Sequence, residues 1–300
     1  MKKIDLQTLY RLTLVIVIFF TAVPVSYSQT SRFAATHYAR GNKRFTKGDL
    51  DGAISEYDVA ISLDPKSAPA YNMRGSARYH KGDLKGSFAD YTTAIEIDRE
   101  FALAYYNRGK VRRDQEDLRG SIADYTTAIE IDPLLSAAYN NRGNIRRDVG
   151  DLDGAMEDFE AAIQIEPRNA VIYNNRGLTR RDLGNLQGAI ADFTRAIQID
   201  RRLPDAYSNR GNVWLDTGDL DKSMTDQNSA LRLNPSFAKA YGNRGLVRLS
   251  KGDVVGAEQD FQECVRLEPK LRNLLEEQIK AVKEKLASSN SLRLASPERP

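Results

Sequence analysis

The chain has one cysteine, Cys264, two histidines, His37 and His80, and one tryptophan in 300 residues. A single thiol forms no internal disulfide, so stability has to come from packing. Two histidines and one cysteine make no clustered metal-ligand set. A Ser-His-acid site would have to use His37 or His80, and packing or surface exposure explains both positions. No phosphate-cradling glycine loop is present. The formal net charge is only +3, too small by itself to imply nucleic acid. No enzyme activity, no metal or other cofactor and no nucleic-acid partner are therefore expected. Beyond residue 23 no apolar run is long enough to span a bilayer, which takes roughly 20 residues.

What is present is a repeat. The dipeptide Arg-Gly recurs with its arginine at 40, 74, 108, 142, 176, 210 and 244, a step of 34 residues without insertion or deletion. An aromatic stands three residues before the arginine at Tyr71, Tyr105, Tyr139, Tyr173, Tyr207 and Tyr241, with His37 in the first copy. A turn follows, as Gly48-Asp49-Leu50 or Gly150-Asp151-Leu152, where glycine accepts the left-handed conformation and Asp caps the next helix. The third copy has Glu116 in place of the glycine, which predicts a strained or differently capped turn. The second half of each copy carries a small residue (Ala53 to Ala257). An aromatic follows four residues later (Tyr57, Tyr91, Tyr125, Phe159, Phe193, Phe261, broken by Gln227), and then Ala or Cys264 three residues on. Spacings of three and four put these on one helical face. Pro65, Pro133, Pro167, Pro235 and Pro269 follow the second helices, where proline ends helical continuation.

This pattern, over residues 35–269, resembles the tetratricopeptide repeat family. The resemblance implies an all-α, right-handed superhelical solenoid of seven helix-turn-helix repeats. The first helices would line a concave face that commonly binds extended peptide. Residues 270–287 are expected to form a capping helix, since Leu271, Leu275, Ile279, Val282 and Leu286 make an apolar stripe and the last repeat of an array needs a cover. Residues 288–300 are expected to be a disordered polar tail.

The N-terminus differs from everything after it. Lys2, Lys3 and Arg11 precede an apolar run over Leu12–Val23, then Pro24 and the small residues Ser26 and Ser28. Residues 1–28 are therefore expected to be a cleaved secretory signal, with an uncleaved anchor as the lesser alternative. The expected location is exported, periplasmic or secreted, and an unpaired Cys264 in a buried small-residue slot fits an oxidising space.

One departure from the family stands out. The residue before the repeat glycine is usually a buried Leu in that family, and here it is always Arg. Sixteen residues later there is always an acid: Glu56, Asp90, Asp124, Asp158, Asp192, Asp226 and Asp260. The matched offset predicts a forked ion pair across each helix pair, as in Arg142–Asp158 and Arg176–Asp192. A second series lies four residues on, at Arg44, Arg78, Arg112, Arg146, Arg180 and Arg248, with Trp214 in the sixth copy. These arginines either share the acids or carry their heads to solvent.

With the tyrosine counted as the fourth residue of its repeat, a turn of 100° per residue puts the second, fifth, sixth, ninth, twelfth and thirteenth positions on the groove face. The sixth gives Asn107, Asn141, Asn175, Asn209 and Asn243; the ninth includes Asn144 and Asn212; the fifth includes Tyr106; the twelfth runs through Arg113, Arg147 and Arg181 to Leu215 and Leu249. An amide side chain both donates and accepts, so a row of Asn can hold a peptide backbone whatever its side chains. The row resembles the asparagine ladders of O-linked N-acetylglucosamine transferase and the armadillo importins. The two-carboxylate clamp of chaperone-binding members is a poor match, because Asn140 stands where that pattern has Lys. The functional expectation is a non-enzymatic scaffold binding an extended segment of a protein in the cell envelope. An accessory of envelope polysaccharide export or assembly, docking through the convex face, is the alternative, and self-association is left open.

Overall fold

The computed structural model describes residues 29–295, so the expected signal segment 1–28 lies outside the described residues, as do 296–300. The described chain is helical throughout, without a strand. Helix α1 covers 29–46. It is followed by α2 (Leu50–Leu63), α3 (Ala68–His80), α4 (Leu84–Ile97), α5 (Ala102–Asp114), α6 (Leu118–Ile131) and α7 (Ser136–Asp148). After these come α8 (Leu152–Ile165), α9 (Ala170–Asp182), α10 (Leu186–Ile199), α11 (Pro204–Asp216), α12 (Leu220–Leu233), α13 (Ala238–Ser250), α14 (Val254–Leu267) and α15 (Arg272–Ala295). Odd and even helices pair, giving seven helix pairs before α15. The chain forms two compact units, one ending at Ala138 and the other beginning at Tyr139. Among the described residues no helix is long and apolar enough to cross a membrane.

The turn inside each pair follows from two residues. Gly48, Gly82, Gly150, Gly184, Gly218 and Gly252 take φ between 75° and 87°, open to a residue without Cβ. The next residue then donates its N–H back over the helix end, as Asp151 N does to Arg146 O at 2.8 Å. Its side chain caps the second helix, as Asp151 Oδ1 does by accepting from Gly154 N at 3.1 Å. Behind the turn, the aromatic of the second helix lies on the bare backbone of the repeat glycine. A Cβ on Gly177 would stand 2.7 Å from Phe193 Cε1, so this slot excludes any larger residue. Tyr57, Tyr125, Phe159 and Phe193 are fully buried there. Gln227 takes the same slot without an unsatisfied group. Its Oε1 accepts from Ser208 Oγ at 2.9 Å and its Nε2 donates to Ser208 O at 3.0 Å.

One difference from the sequence expectations concerns the C-terminal end, while the third turn takes the strained form its sequence predicts. The C-terminal helix does not stop at 287 but runs to Ala295, through much of the segment expected to be a disordered tail. No Gly or Pro occurs between Arg272 and Ser296, and the first breaker is Pro297. A 3-10 turn over Pro269–Leu271 starts it. The third turn keeps the glycine conformation without the glycine: Glu116 sits at φ 64°.

A left-handed non-glycine residue costs on the order of 1–2 kcal/mol. Glu116→Gly is therefore expected to stabilise the protein by about 1 kcal/mol. Chemical denaturation of the two chains checks this, and an unchanged midpoint would show the turn to be unstrained.

Candidate peptide-binding face

The face presented by the odd-numbered helices is held by a repeated ionic network. In six copies the arginine before the repeat glycine forks onto the acid sixteen residues later. Arg74 donates from Nε at 3.0 Å and from Nη2 at 2.6 Å to the two oxygens of Asp90. Arg108–Asp124, Arg142–Asp158, Arg176–Asp192, Arg210–Asp226 and Arg244–Asp260 repeat the geometry. The six aspartates are 4% exposed or less, so each charge is met almost entirely by the protein. The same guanidinium leans on the tyrosine one turn back, 5.3 Å from the Tyr71 centroid in the second copy and 5.4 Å from Tyr241 in the last.

The second arginine series shares these acids. Arg78, Arg146, Arg180 and Arg248 place Nη1 between 2.8 and 3.1 Å from Oδ2 of Asp90, Asp158, Asp192 and Asp260, the oxygen that also accepts from the first arginine's Nε. Arg146 and Arg248 also donate to Gly154 O and Gly256 O at the start of the second helix. In the sixth copy Trp214 replaces this arginine, and Lys222 Nζ lies 4.4 Å over its ring while bonding to Asp219. The first copy breaks the pattern. Glu56 pairs with His37 at 2.7 Å and with Arg44 at 3.5 Å, while Arg40 is exposed. The longer glutamate side chain reaches a different partner.

The network also crosses between repeats. The third guanidinium nitrogen, Nη1, reaches back sixteen residues to the preceding even helix. Arg74 meets Asp58 at 2.7 Å, Arg210 meets Thr194 Oγ1 at 3.0 Å and Arg244 meets Asn228 at 3.0 Å. One side chain thus ties three helices.

Above this layer lies the asparagine row. Asn107 Nδ2 donates to Asn72 at 3.0 Å in the first unit. In the second, Asn175 donates to Asn140 at 3.0 Å, Asn209 to Asn174 at 2.9 Å and Asn243 to Ser208 at 3.1 Å. Each of these four asparagines therefore spends one amide hydrogen on the fifth position of the repeat before. This bond closes the fifth position: Asn72, Asn174 and Ser208 are buried, not open to a groove as the helical projection implied. Tyr106, at the same position, is half-buried and tilts against Tyr125 at 5.8 Å. The ninth position reaches over the tip of the even-helix aromatic. Tyr57 OH donates to Asn42, Tyr91 OH to Ser76 Oγ, and Gln227 to Asn212. Asn144 faces Phe159, which offers no polar atom, and its amide has no hydrogen-bond partner among the described residues.

The twelfth-position arginines are largely neutralised. Arg113 donates to Asp114 at 3.0 and 2.8 Å, and Tyr79 OH donates to the same carboxylate at 2.5 Å. Burial alone would raise the Asp114 pKa, but the hydrogen bonds from Tyr79 and Arg113 outweigh it and hold the group below the usual carboxylate range. Arg147 pairs with Asp148 at 3.0 Å and approaches Asp182 at 4.0 Å, and Arg181 lies 3.5 Å from Asp182. Lys110 differs: burial and the neighbouring Arg113 push its pKa down, and its ammonium lies 4.7 Å over the Tyr79 ring. At the other end, Arg181, Asn212 and Asn243 line a cavity together with Gln278, Val282 and Lys285 of α15.

Sequence profiles for the tetratricopeptide repeat match over 102–133, 204–237 and 238–271, and profiles described as TPR repeat over 41–82, 75–112, 143–180 and 177–218. The chain belongs to the tetratricopeptide repeat family. Its members are protein-interaction scaffolds, generally non-enzymatic, some of which bind peptides. No curated protein sequence matches it. Among solved structures it is similar to a tetratricopeptide repeat protein from Parabacteroides merdae (TM-score 0.65, 18% identity, 84% of this chain and 99% of that one). Pseudomonas aeruginosa pilF gives a TM-score of 0.62 at 17% identity, covering 71% of this chain and 96% of that one. The Cut9-Hcn1 hetero-tetramer of the APC/C gives 0.68 at 17% identity, covering 83% of this chain and 48% of that one. At these identities the likeness shows the fold alone.

In this tetratricopeptide repeat chain the arginine network holds the odd helices in register beneath the face. Asp158→Ala leaves Arg142 and Arg146 without their shared acceptor. Removing one member of a buried pair typically costs about 3–5 kcal/mol, so a large fall in the thermal midpoint is expected. A variant that melts like the parent would mean the pair carries no structural weight.

Proposed function

We propose that the chain is a non-enzymatic scaffold of the cell envelope that holds an extended peptide segment of a partner protein along its odd-helix faces. The observation that carries this reading is the amide row. Asn175 and Asn209 keep a second amide hydrogen after bonding to the repeat before, and Asn144 on α7 makes no hydrogen bond among the described residues. Partly exposed amides without internal partners are suited to the backbone groups of an extended chain, which needs one donor and one acceptor per residue. Repetition at a fixed 34-residue offset supplies such groups along the strand, with little demand on the ligand's side chains. The paired Arg147–Asp148 charges add polarity without a strong net field. The envelope location is supported by the basic, apolar and small-residue order of residues 1–28. N-terminal sequencing of the exported chain is expected to start near Gln29, and a start at residue 1 would contradict cleavage.

The groove reading is tested by partner capture from envelope extract, comparing the parent chain with an Asn144→Ala, Arg147→Ala variant that melts at the same temperature. A partner retained by the parent and lost by the variant is expected. Asn243→Ala, which alters an amide beneath α15, should keep the partner. Equal capture by all three chains would place binding elsewhere.

A further inference from the structure

The odd-helix face changes character in its last repeats. The twelfth position, aromatic in the first two copies and arginine in the next three, becomes Leu215 and Leu249, and the ninth ends in Leu246. Leu246 and Leu249 are buried, in one cluster with Phe261, Cys264 and Leu275, against which Leu215, Ile279 and Val282 pack. Helix α15 is what covers them. Its inward stripe is Leu275, Ile279, Val282 and Leu286, at steps of four, three and four.

A cap for the seventh pair needs only the first half of this helix. Leu275 achieves it, 5% exposed and close to Gly242 beside Cys264. The second half does something else. Ala281, Val282, Lys285 and Leu286 face back over the C-terminal ends of α11 and α9, opposite Leu215, Asp216 and Arg181, across a cavity of about 610 Å³. These are residues of the sixth and fifth repeats, which a terminal cap does not have to reach. The fit is loose: Val282 and Leu286 are only half-buried and Ala281 is exposed. The charges are matched, however. Asp216 stands at this rim; burial pushes its pKa up, and the nearby Arg181 and Lys285 charges oppose that shift without cancelling it.

A surface that accepts a helix through an apolar stripe, with a lysine of that helix near a rim carboxylate, yet is incompletely filled by it, is suited to a better-fitting helix. We propose that the leucine-lined end of the odd-helix face is a docking surface for an amphipathic α-helix of a partner protein, which displaces the distal half of α15. The partner helix would match the α15 stripe, carry bulky apolar residues where α15 has Ala281 and Val282, and place a Lys or Arg opposite Asp216. This surface adjoins the amide row at Asn212 and Asn243, and binding of a helical probe is read separately from partner capture.

The probe is an end-blocked, fluorescent peptide of residues 272–295 carrying Ala281→Leu and Val282→Phe. The full chain is titrated in three forms: parent, the Val282→Glu, Leu286→Glu variant that releases the distal half while keeping Leu275 and Ile279, and that variant with Asp216→Lys added. The released chain is expected to bind about tenfold more tightly than the parent, because a site closed nine-tenths of the time loses that factor in apparent affinity. Adding Asp216→Lys should reverse most of the gain. If the released variant does not fold, Lys285→Glu in the otherwise unchanged chain replaces it, opposing Asp216 with a like charge at an exposed position, and a smaller gain in affinity is expected. Equal binding to parent and released chains, or no binding to either, overturns the proposal. So does concentration-dependent dimerisation of the released chain that excludes the peptide, since the occupant would then be a second copy.

Discussion

One aspartate, buried in six of the seven even helices and held by two arginines in five of them, is the interaction on which the rest of the structure depends. A carboxylate taken out of water needs nearly all of its acceptor capacity filled, and here two guanidinium groups fill it from the same odd helix, four residues apart. The arginines are in turn fixed, one by a tyrosine face and the preceding repeat, the other by the backbone carbonyl at the start of the even helix. Where one member changes, its neighbours change with it. Trp214 brings Lys222 over its ring, and Glu56 brings His37 and Arg44. Such a network need not add net stability over apolar packing. What it adds is register, because a forked pair tolerates little sliding between helices.

Register matters for the face above. The asparagine row works only if each amide meets the one a repeat earlier, and those cross-repeat bonds of 2.9–3.1 Å sit directly over the arginine layer. The face is therefore a product of spacing. Each repeat contributes the same few polar atoms, and the network beneath sets the interval between them.

Much of this was legible in the sequence, because period, turn and ion-pair offset are local quantities that repeat. The glycine-Asp turn follows from conformational preference alone, and a sixteen-residue offset between Arg and Asp is the same in every copy. What was not legible depends on neighbours. A helical wheel puts Asn72, Asn174 and Ser208 on the open face, but it does not know that the next repeat covers them. The two arginine series lie on one side of a helix with one acid opposite, and only the third dimension shows that both reach it. Residue spacing matched Arg40 with Glu56, but the extra methylene carries the Glu56 carboxylate to His37 and Arg44 instead. The length of α15 followed from the absence of a breaker before Pro297, a signal that polar composition outweighed.

The central claim is that each arginine couples neighbouring repeats rather than merely closing its own helix pair. Amide hydrogen exchange on the full chain, comparing the parent with Arg210→Met, tests it most directly. Arg210 bonds Asp226 on α12 and Thr194 on α10. Loss of protection in α10 as well as in α11 and α12 is the result predicted. Loss confined to α11 and α12, with α10 protected as in the parent, would contradict it.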